Sequence, residues 1–462
     1  MSRTFVVVGG DAAGMSAASK ARREDPDLDV IVFERGDWVS YGACGLPYYL
    51  KGEVESLEDL VAVPPERFRE ERGIDLRTRH EVVDVDPERS VVTVSDRDAD
   101  RQFDQSYDRL LLSTGARAVE PPFEGMALDG VFTLHGMDAA AEIASYLGIE
   151  GPDEESPLEA VAIVGGGYVG IEVAEALRAR GLEVHLFEML SHVLNPFGEA
   201  VAERVEEELR AEGVRLHLDT AVESFRSGGD ADGGRVEGVV AGDETVPVDA
   251  VIVGVGVEPN VELAERAGID LGDTGAVATD HYGRTSEPGV YAAGDVAELR
   301  NVVTGRPDHV PLALSANRAG RAIGATVGGT PTPVGETAGT AVVKAFGLEA
   351  ARTGLVDEAS AREAGFEPAS VTIQAPSRAH YYPGGDELTV TLVADRGTRR
   401  VLGGTMVGRE GVAKRIDTVA TALHAGMTVE EVEYLDLSYA PPFSPVWDPV
   451  LTAAKVLSGK LE

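Results

Sequence analysis

Gly165-x-Gly167-x-x-Gly170 is a spacing that suits one kind of ligand. It follows an apolar stretch, 160–164, and opens a small-residue helix, so it sits at a strand-to-helix turn. The first glycine permits the tight turn, the second lets backbone amides approach a pyrophosphate, and the third lets helix and strand pack closely. The helix start adds partial positive charge facing the phosphates. Tyr168 and Val169 fill the loop between the last two glycines. Glu188 ends the next apolar stretch, where a carboxylate accepts hydrogen bonds from an adenosine ribose and repels a 2′-phosphate. NADH is therefore expected in preference to NADPH, and Arg178 and Arg180 on the helix offer no obvious seat for the extra phosphate.

The same pattern occurs at the N-terminus. An apolar stretch, 4–8, leads into Gly9-Gly10-Asp11-Ala12-Ala13-Gly14, with Asp11 at the middle-glycine position. Glu34, followed by Arg35, closes the next apolar stretch. A third element, 285–296, ends in Gly294-Asp295, which sets a carboxylate beside a close backbone approach; read alone it is equally a surface turn with a helix-capping aspartate. Cys44 is the single cysteine, which rules out an internal disulfide and a cysteine-rich metal site, and no metal is expected. Leu46 to Leu50 can start a helix with Pro47 in its permitted first turn. A cysteine at such a start has its thiolate stabilised by the helix dipole. A lone cysteine is commonly a small core residue. Here Gly42 and Gly45 on either side, the polar start Ser40-Tyr41 and the position after the first glycine loop favour a redox role.

These residues need a scaffold. The duplicated pattern reads as strand 4–8, helix 15–23 and strand 29–34, then strand 160–164, helix 171–180 and strand 183–188. Short, continuously apolar strands alternating with helices indicate parallel sheets covered on both faces. Alternating stretches 80–85 and 90–94 add strands, and another ends at Leu110-Leu111-Leu112. The acidic segment 150–159 reads as a surface connection, 227–234 as a hairpin tip and 328–333 as a domain boundary. Beyond it, strands are expected near 339–346, 369–375, 388–394 and 400–407, and helices near 411–425 and 445–457, an α+β layout.

Lys and Arg total 41 against 79 Asp and Glu, a net charge of −38. That balance excludes a nucleic-acid binder and disfavours anionic membrane surfaces. With 43% hydrophobic residues the chain still has material for ordinary cores, so it is not a disordered acidic tail. Only six lysines occur, Lys20, Lys51, Lys344, Lys414, Lys455 and Lys460, a composition that resembles proteins of a salt-accumulating cytoplasm. No apolar run reaches ~18 residues, and the N-terminus runs directly into a strand rather than a signal peptide, so a soluble cytoplasmic protein is expected.

Together, the two glycine loops and the Gly294-Asp295 segment resemble the flavoprotein disulfide reductases that bind two dinucleotides. The resemblance covers nearly the whole chain. It implies an α/β fold with two Rossmann-like domains and a C-terminal α+β dimerisation domain. FAD would occupy 1–117 with 251–331, NAD(P)H 118–250, and the dimerisation domain 332–462. Asp295 would bond the flavin ribityl chain. Ser113-Thr114-Gly115 and the segment 254–260, with Gly256, match the family's two crossings between domains.

Most members carry a cysteine pair; the 40–50 segment is similar to the single-cysteine branch of coenzyme A-disulfide reductases, NADH oxidases and peroxidases, and coenzyme A-persulfide reductases. His380-Tyr381-Tyr382-Pro383-Gly384 and 439–444 resemble the coenzyme A-disulfide reductases. In that subfamily such tyrosines reach the active site of the other subunit of a dimer, so Tyr439 with Tyr381 or Tyr382 would be the acid. Oxidases and peroxidases usually have a histidine where Ala12 stands, and coenzyme A-disulfide reductases an asparagine where Ala43 stands. Ser16, Lys20, Arg23, Ser40 and Arg72 fall where the subfamily binds coenzyme A. Lys20, Arg22 and Arg23 could receive its phosphates, or form an exposed helix face with Glu24 and Asp25. The implied activity is reduction of coenzyme A disulfide, or another small thiol disulfide, by NADH through FAD and Cys44. Runners-up are an NADH oxidase cycling through a sulfenic acid and a persulfide or polysulfide reductase. The latter would often carry an added sulfurtransferase domain. A different class is an electron-transfer flavoprotein serving a protein partner.

Overall fold

A computed structural model describes residues 3–228 and 234–461. Two five-stranded parallel sheets repeat one plan. In the first, Thr4–Val8 lies between Asp29–Phe33 and Arg109–Leu112, with Asp75–Arg77 and Val290–Ala292 at the edges. In the second, Ala160–Val164 lies between Glu183–Phe187 and Ala250–Val253, with Arg215–His217 and Val131–Thr133 outside. Pairing is equivalent in the two copies: Thr4 faces Asp29 and Ala160 faces Glu183, each at the start of its strand. Phe5, Val6 and Val7, like Val161, Ala162 and Ile163, are completely buried, as a central parallel strand covered on both faces requires.

The helices after the two loops run Ala12–Glu24 and Tyr168–Ala179, each starting three residues before the expected point. Asp11 and Gly167 are the N-cap positions, so the last loop residues already form the first turn. Arg180 does not face the nucleotide side. It is 3% exposed, and its guanidinium donates to the carbonyls of Leu50, Gly151, Pro152 and Glu154, pinning the acidic connection. Arg178 likewise donates to the Leu182 and Glu212 carbonyls. The expected hairpin at 227–234 is framed by the antiparallel pair Ser224–Ser227 and Val236–Ala241, and its tip, 229–233, lies outside the described residues.

The chain passes between the parallel sheets twice, at one place. Ala116–Ala118 pairs antiparallel with Val257–Pro259. Thr114 Oγ1 donates to the Asn260 carbonyl at 2.8 Å, and Asn260 Nδ2 donates to the Thr114 carbonyl at 2.8 Å. Ala250–Val253 belongs to the second sheet, so the return crossing starts after Val253 rather than after residue 250.

The C-terminal part is a five-stranded antiparallel sheet in the order Ala341–Ala345, Leu348–Gly354, Val401–Gly408, Glu387–Asp395, Pro368–Pro376. Helices Val412–Ala425 and Pro449–Lys460 cover its core. The strand Leu348–Gly354 is absent from the sequence reading, because its composition (LEAARTG) has a single β-branched residue.

One carboxylate joins all three parts. Glu175, on the second-loop helix, is buried. Its Oε1 receives Lys51 Nζ at 2.8 Å and also Lys344 Nζ, and its Oε2 accepts the Phe346 N–H at 2.7 Å. Burial alone would raise its pKa; the two lysines and the amide outweigh this and hold it below the usual value. Breaking such a pair strands charge inside the protein. Glu175→Ala is expected to destabilise the protein by roughly 2–3 kcal/mol, with exposed Lys344 retaining part of its hydration. The junction's contribution is present above the unfolded carboxylate pKa and is lost as pH falls through the lowered folded value. Urea unfolding of Glu175→Ala against the parent, at neutral and acidic pH, measures both.

Candidate active site

The two loops are built by close contact. Gly9 (φ +104°) and Gly165 (φ +109°) have the positive φ that makes the turn. A Cβ on Gly9 would lie 2.1 Å from the Ser113 carbonyl oxygen, and one on Gly165 would lie 2.4 Å from that of Gly254. A Cβ on Gly14 would sit 2.0 Å from the Gly9 oxygen, and one on Gly170 would sit 2.0 Å from the Gly165 oxygen. Gly167 is different: within 4 Å its Cβ would meet nothing, so this side of the loop is open to a pyrophosphate.

The strand-end acids repeat as well. Glu34 accepts the N–H groups of Gly10 and Gly36, both at 2.7 Å. Glu188 accepts those of Gly166 at 2.8 Å and Leu190 at 2.9 Å. Each carboxylate is thus fixed against its glycine loop, with lone pairs left for ribose hydroxyls.

A cleft of about 900 Å³ opens along the first loop. Gly9, Gly10, Asp11, Glu34, Arg35, Ser113, Thr114, Gly115 and Asp295 all line it. Ala12, Ala13, Gly14 and Gly294 are not among its lining residues. Burial raises the Asp295 carboxyl above its ordinary value, and His309 beside it donates to the Asp295 backbone oxygen at 2.7 Å. Trp38, Tyr41, His135, Asp138 and Asn260 also line the cleft. They carry no glycine signature, and only the chain's path brings them there.

Asp11 fills the place that Gly167 leaves open. Its carboxylate accepts the Tyr41 N–H at 3.0 Å, and burial pushes its pKa up to about 6 against that hydrogen bond. The Ser40 N–H donates to the Gly10 carbonyl at 3.0 Å. These two bonds fasten the 40–44 segment to the first loop, and Ala43 reaches the cleft wall.

Cys44 lies in one tight turn, Ala43–Gly45, just before the helix Leu46–Lys51. The sequence argument expected the helix start to favour its thiolate. Instead its pKa is raised: the crowded walls remove water, and the Glu172, Asp295 and Asp11 carboxylates oppose the thiolate charge. A six-residue helix is too short to outweigh them. The residue as a whole is nonetheless exposed.

Glu172 and Tyr48 went unnoticed in the sequence. Glu172 follows Gly170 on the second-loop helix, and the Tyr48 hydroxyl donates to its Oε1 at 3.2 Å. Burial pushes Glu172 up to about 7 and Tyr48 up to about 12. An acid on the inward side of a glycine-loop helix was the available signal.

The tyrosine segments meet each other. The Tyr381 and Tyr439 hydroxyls are 2.8 Å apart, and that bond raises the Tyr439 pKa. Tyr382 stands apart, its ring facing the Arg378 guanidinium, so it is not part of the pair. Among the described residues no hydrogen bond links these tyrosines to Cys44 of the same chain. All three are exposed, as are Phe443, Val446 and Trp447 just after Tyr439 in the chain.

The expected coenzyme residues gather only partly. Ser16, Lys20 and Arg23 share one face of the Ala12–Glu24 helix. Ser16 Oγ donates to Asn317 Oδ1 at 2.7 Å, and Arg23 is exposed. Lys20 is paired with Glu24. Arg72 donates to Ser19 Oγ at 2.9 Å and stacks over Phe68. Arg22 leaves the cluster, because it caps the carbonyls of Pro26 and Leu28. Ser40 contributes its backbone to the loop anchor, with φ +49°. Lys20 also borders a second groove of about 390 Å³ with Arg318 and Arg321, two basic residues that lie about 300 positions away in sequence.

The two kinds of loop glycine are separable by experiment. Gly170→Ala drives a Cβ into backbone and is expected to lower the unfolding temperature by several degrees or abolish soluble protein. Gly167→Ala is expected to leave unfolding unchanged and to raise KM for NADH roughly ten-fold, about 1.4 kcal/mol of binding. Thermal unfolding and NADH titration of both variants decide this.

Comparison with known proteins places this architecture. The family model described as pyridine nucleotide-disulphide oxidoreductase matches residues 3–316, and that of the family's dimerisation domain matches 340–449. The chain is 40% identical over 458 residues to an NAD(P)H coenzyme A polysulfide/persulfide reductase of Pyrococcus horikoshii, covering 99% of each chain. It is 30% identical over 450 residues to a coenzyme A disulfide reductase of Staphylococcus haemolyticus, covering 96% of each. A solved NAD-dependent persulfide reductase from A. fulgidus superimposes with a TM-score of 0.93 at 38% identity, covering 99% of this chain and 83% of that one. The Pyrococcus relative is matched over 99% of its length, so an added domain does not accompany every persulfide reductase, whereas the A. fulgidus chain is matched over 83%. Both parallel sheets, the paired glycine loops and the antiparallel C-terminal sheet are accounted for by these matches, and the chain belongs to the pyridine nucleotide-disulphide oxidoreductases, flavin-dependent enzymes that use NAD(P)H.

Proposed function

We propose that this protein is an NADH-dependent reductase of coenzyme A-linked sulfur, with the persulfide or polysulfide form ahead of coenzyme A disulfide. The observation that carries the reading is the placement of Cys44. It is exposed, fastened to the first glycine loop, and without a second cysteine to pair with. Its disulfide partner must therefore arrive with the substrate. The order of acceptors follows the relatives, since coenzyme A-dependent sulfur reductases are matched at 40% identity and coenzyme A disulfide reductases at 30–31%.

FAD, held by the 9–14 loop, Glu34 and Asp295, supplies two-electron transfer between nicotinamide and sulfur when bound. The chain's own residues do the rest. The Cys44 thiolate attacks the inner sulfur of a persulfide, forming a mixed disulfide with coenzyme A and expelling HS⁻; with coenzyme A disulfide, the thiolate of coenzyme A leaves. Two electrons and one proton then return Cys44 to the thiolate and release coenzyme A as its thiol. The hydrogen-bonded pair Tyr381–Tyr439, supplied by a second copy of the chain across a dimer interface, protonates the leaving sulfur. A tyrosine whose pKa is raised stays protonated and able to donate. Ser16, Lys20, Arg23 and Arg72 orient the coenzyme and its phosphates.

NADH is preferred because Glu188 is locked against the second loop. The seven residues after it contain no lysine or arginine to receive a 2′-phosphate. Glu188→Ser is expected to shift the ratio of kcat/KM toward NADPH by about ten-fold or more. A parent enzyme that already uses both nucleotides equally would refute the role. Cys44→Ser is expected to reduce turnover of coenzyme A persulfide and coenzyme A disulfide by at least ~100-fold while sparing NADH-dependent dye reduction. Retained sulfur turnover would remove Cys44 from the reaction, and a parent enzyme that reduces neither sulfur compound would point to a protein electron acceptor. Rapid O2 consumption with a sulfenic acid on Cys44 would make the enzyme an oxidase.

A further inference from the structure

Glu172 lies where the nicotinamide-side helix meets the element that carries Cys44. The helix Leu46–Lys51 packs directly on the helix Tyr168–Ala179. Across that contact the Tyr48 hydroxyl, four residues after Cys44, holds Glu172 Oε1 at 3.2 Å. After burial, the Glu172 charge is the strongest influence against the Cys44 thiolate. The other groups facing Glu172 are few. From its own helix comes Glu175, whose charge is committed to Lys51 and Lys344. From the strand Ala341–Ala345 comes Lys344, and from the Leu46–Lys51 helix Tyr48. The strands beneath present apolar Val161, Ile163, Val184 and Leu186. Among the described residues Glu172 has no ion pair. The Asp295 and Asp11 carboxylates also act against the Cys44 thiolate.

We propose that Cys44 and Glu172 hold a single negative charge between them, so that Glu172 takes up a proton whenever Cys44 becomes a thiolate. Two acids on adjoining, packed elements with little water between them cannot both ionise cheaply. Reduction of the mixed disulfide by the two electrons of NADH breaks the S–S bond. The departing thiol receives one proton, Cys44 is left as the thiolate, and the Glu172 carboxylate takes a second proton from solvent. When the thiolate attacks the next sulfur its charge leaves with the expelled group, and Glu172 releases the proton. Burial sets Glu172 at about 7, where this exchange operates at neutral pH. Glu172 acts through Cys44 and is a positioning residue for charge.

The inference rests on Cys44 as the redox centre, but its test needs no sulfur substrate. The FAD-loaded enzyme, stripped of any Cys44 adduct with dithiothreitol, is alkylated with iodoacetamide across pH. The parent should show two inflections, the lower one belonging to Glu172. Glu172→Gln keeps an acceptor for Tyr48 and removes the charge. It should leave one inflection and about three- to ten-fold more thiolate at pH 7. Tyr48→Phe removes the bond that favours the carboxylate, so the lower inflection should move up in pH and the thiolate fraction at pH 7 should rise. Profiles identical to the parent in both variants overturn the proposal. If Glu172→Gln does not fold, Tyr48→Phe alone decides. Failure of the sulfur-reductase reading would show instead as a parent enzyme that oxidises NADH with a dye but turns over neither coenzyme A persulfide nor coenzyme A disulfide.

Discussion

A charged oxygen buried among three parts of a chain must be satisfied by all of them at once. Glu175 imposes that condition here. Its partners come from the Cys44-bearing part, through Lys51, and from the antiparallel sheet, through Lys344 and the Phe346 amide. In a sequence with six lysines, two converge on this one carboxylate. The helix so fixed also carries Glu172, about one turn away on the side facing Tyr48. The electrostatic setting of Cys44 therefore depends on the contact that holds the parts together.

The strongly acidic composition acquires a local meaning at this point. A net charge of −38 bears mainly on solubility and self-repulsion. Beside the cleft the same bias sets the Glu172, Asp295 and Asp11 carboxylates against the Cys44 thiolate. A thiolate there is not given by a helix end; it needs a neighbouring acid to be neutral or a bound group to shift the field. Basic residues are concentrated instead along the Ala12–Glu24 helix and the facing Ala313–Val327 helix, where Lys20, Arg318 and Arg321 border one groove.

Much of this was legible from residue order alone, for a physical reason. Glycine loops, apolar strands and strand-end acids are short-range patterns, and each maps to one local geometry. Hence Gly9, Gly14, Gly165, Gly170, Glu34 and Glu188 stand as their spacing implied. The Leu46–Lys51 helix with Pro47 in its first turn did so too. What escaped was set by contacts distant in sequence. Glu172 meets Tyr48 across 124 positions, and Arg22 turns from the basic cluster to cap carbonyls beyond its helix. Leu348–Gly354 is a strand because its neighbours pair with it, against its own weak propensity. The Cys44 pKa is set by burial and by carboxylates that the fold brings around it, which a local helix dipole does not reveal.

The paired crossings make the second parallel sheet a guest within the first unit. Its two ends leave and re-enter side by side, joined through Ala116–Ala118 and Val257–Pro259. A segment whose ends already touch can close as a loop without the rest of the chain. Two adjacent strands alone would act as an axle about which the guest could rock. Lys344 and the Phe346 amide, reaching Glu175 from the antiparallel sheet, give it a bearing off that axle. Three supports that do not lie on one line fix an orientation, so the tilt between the two glycine loops, and with it any path from one ligand to the other, is set by a mounting rather than by either nucleotide fold.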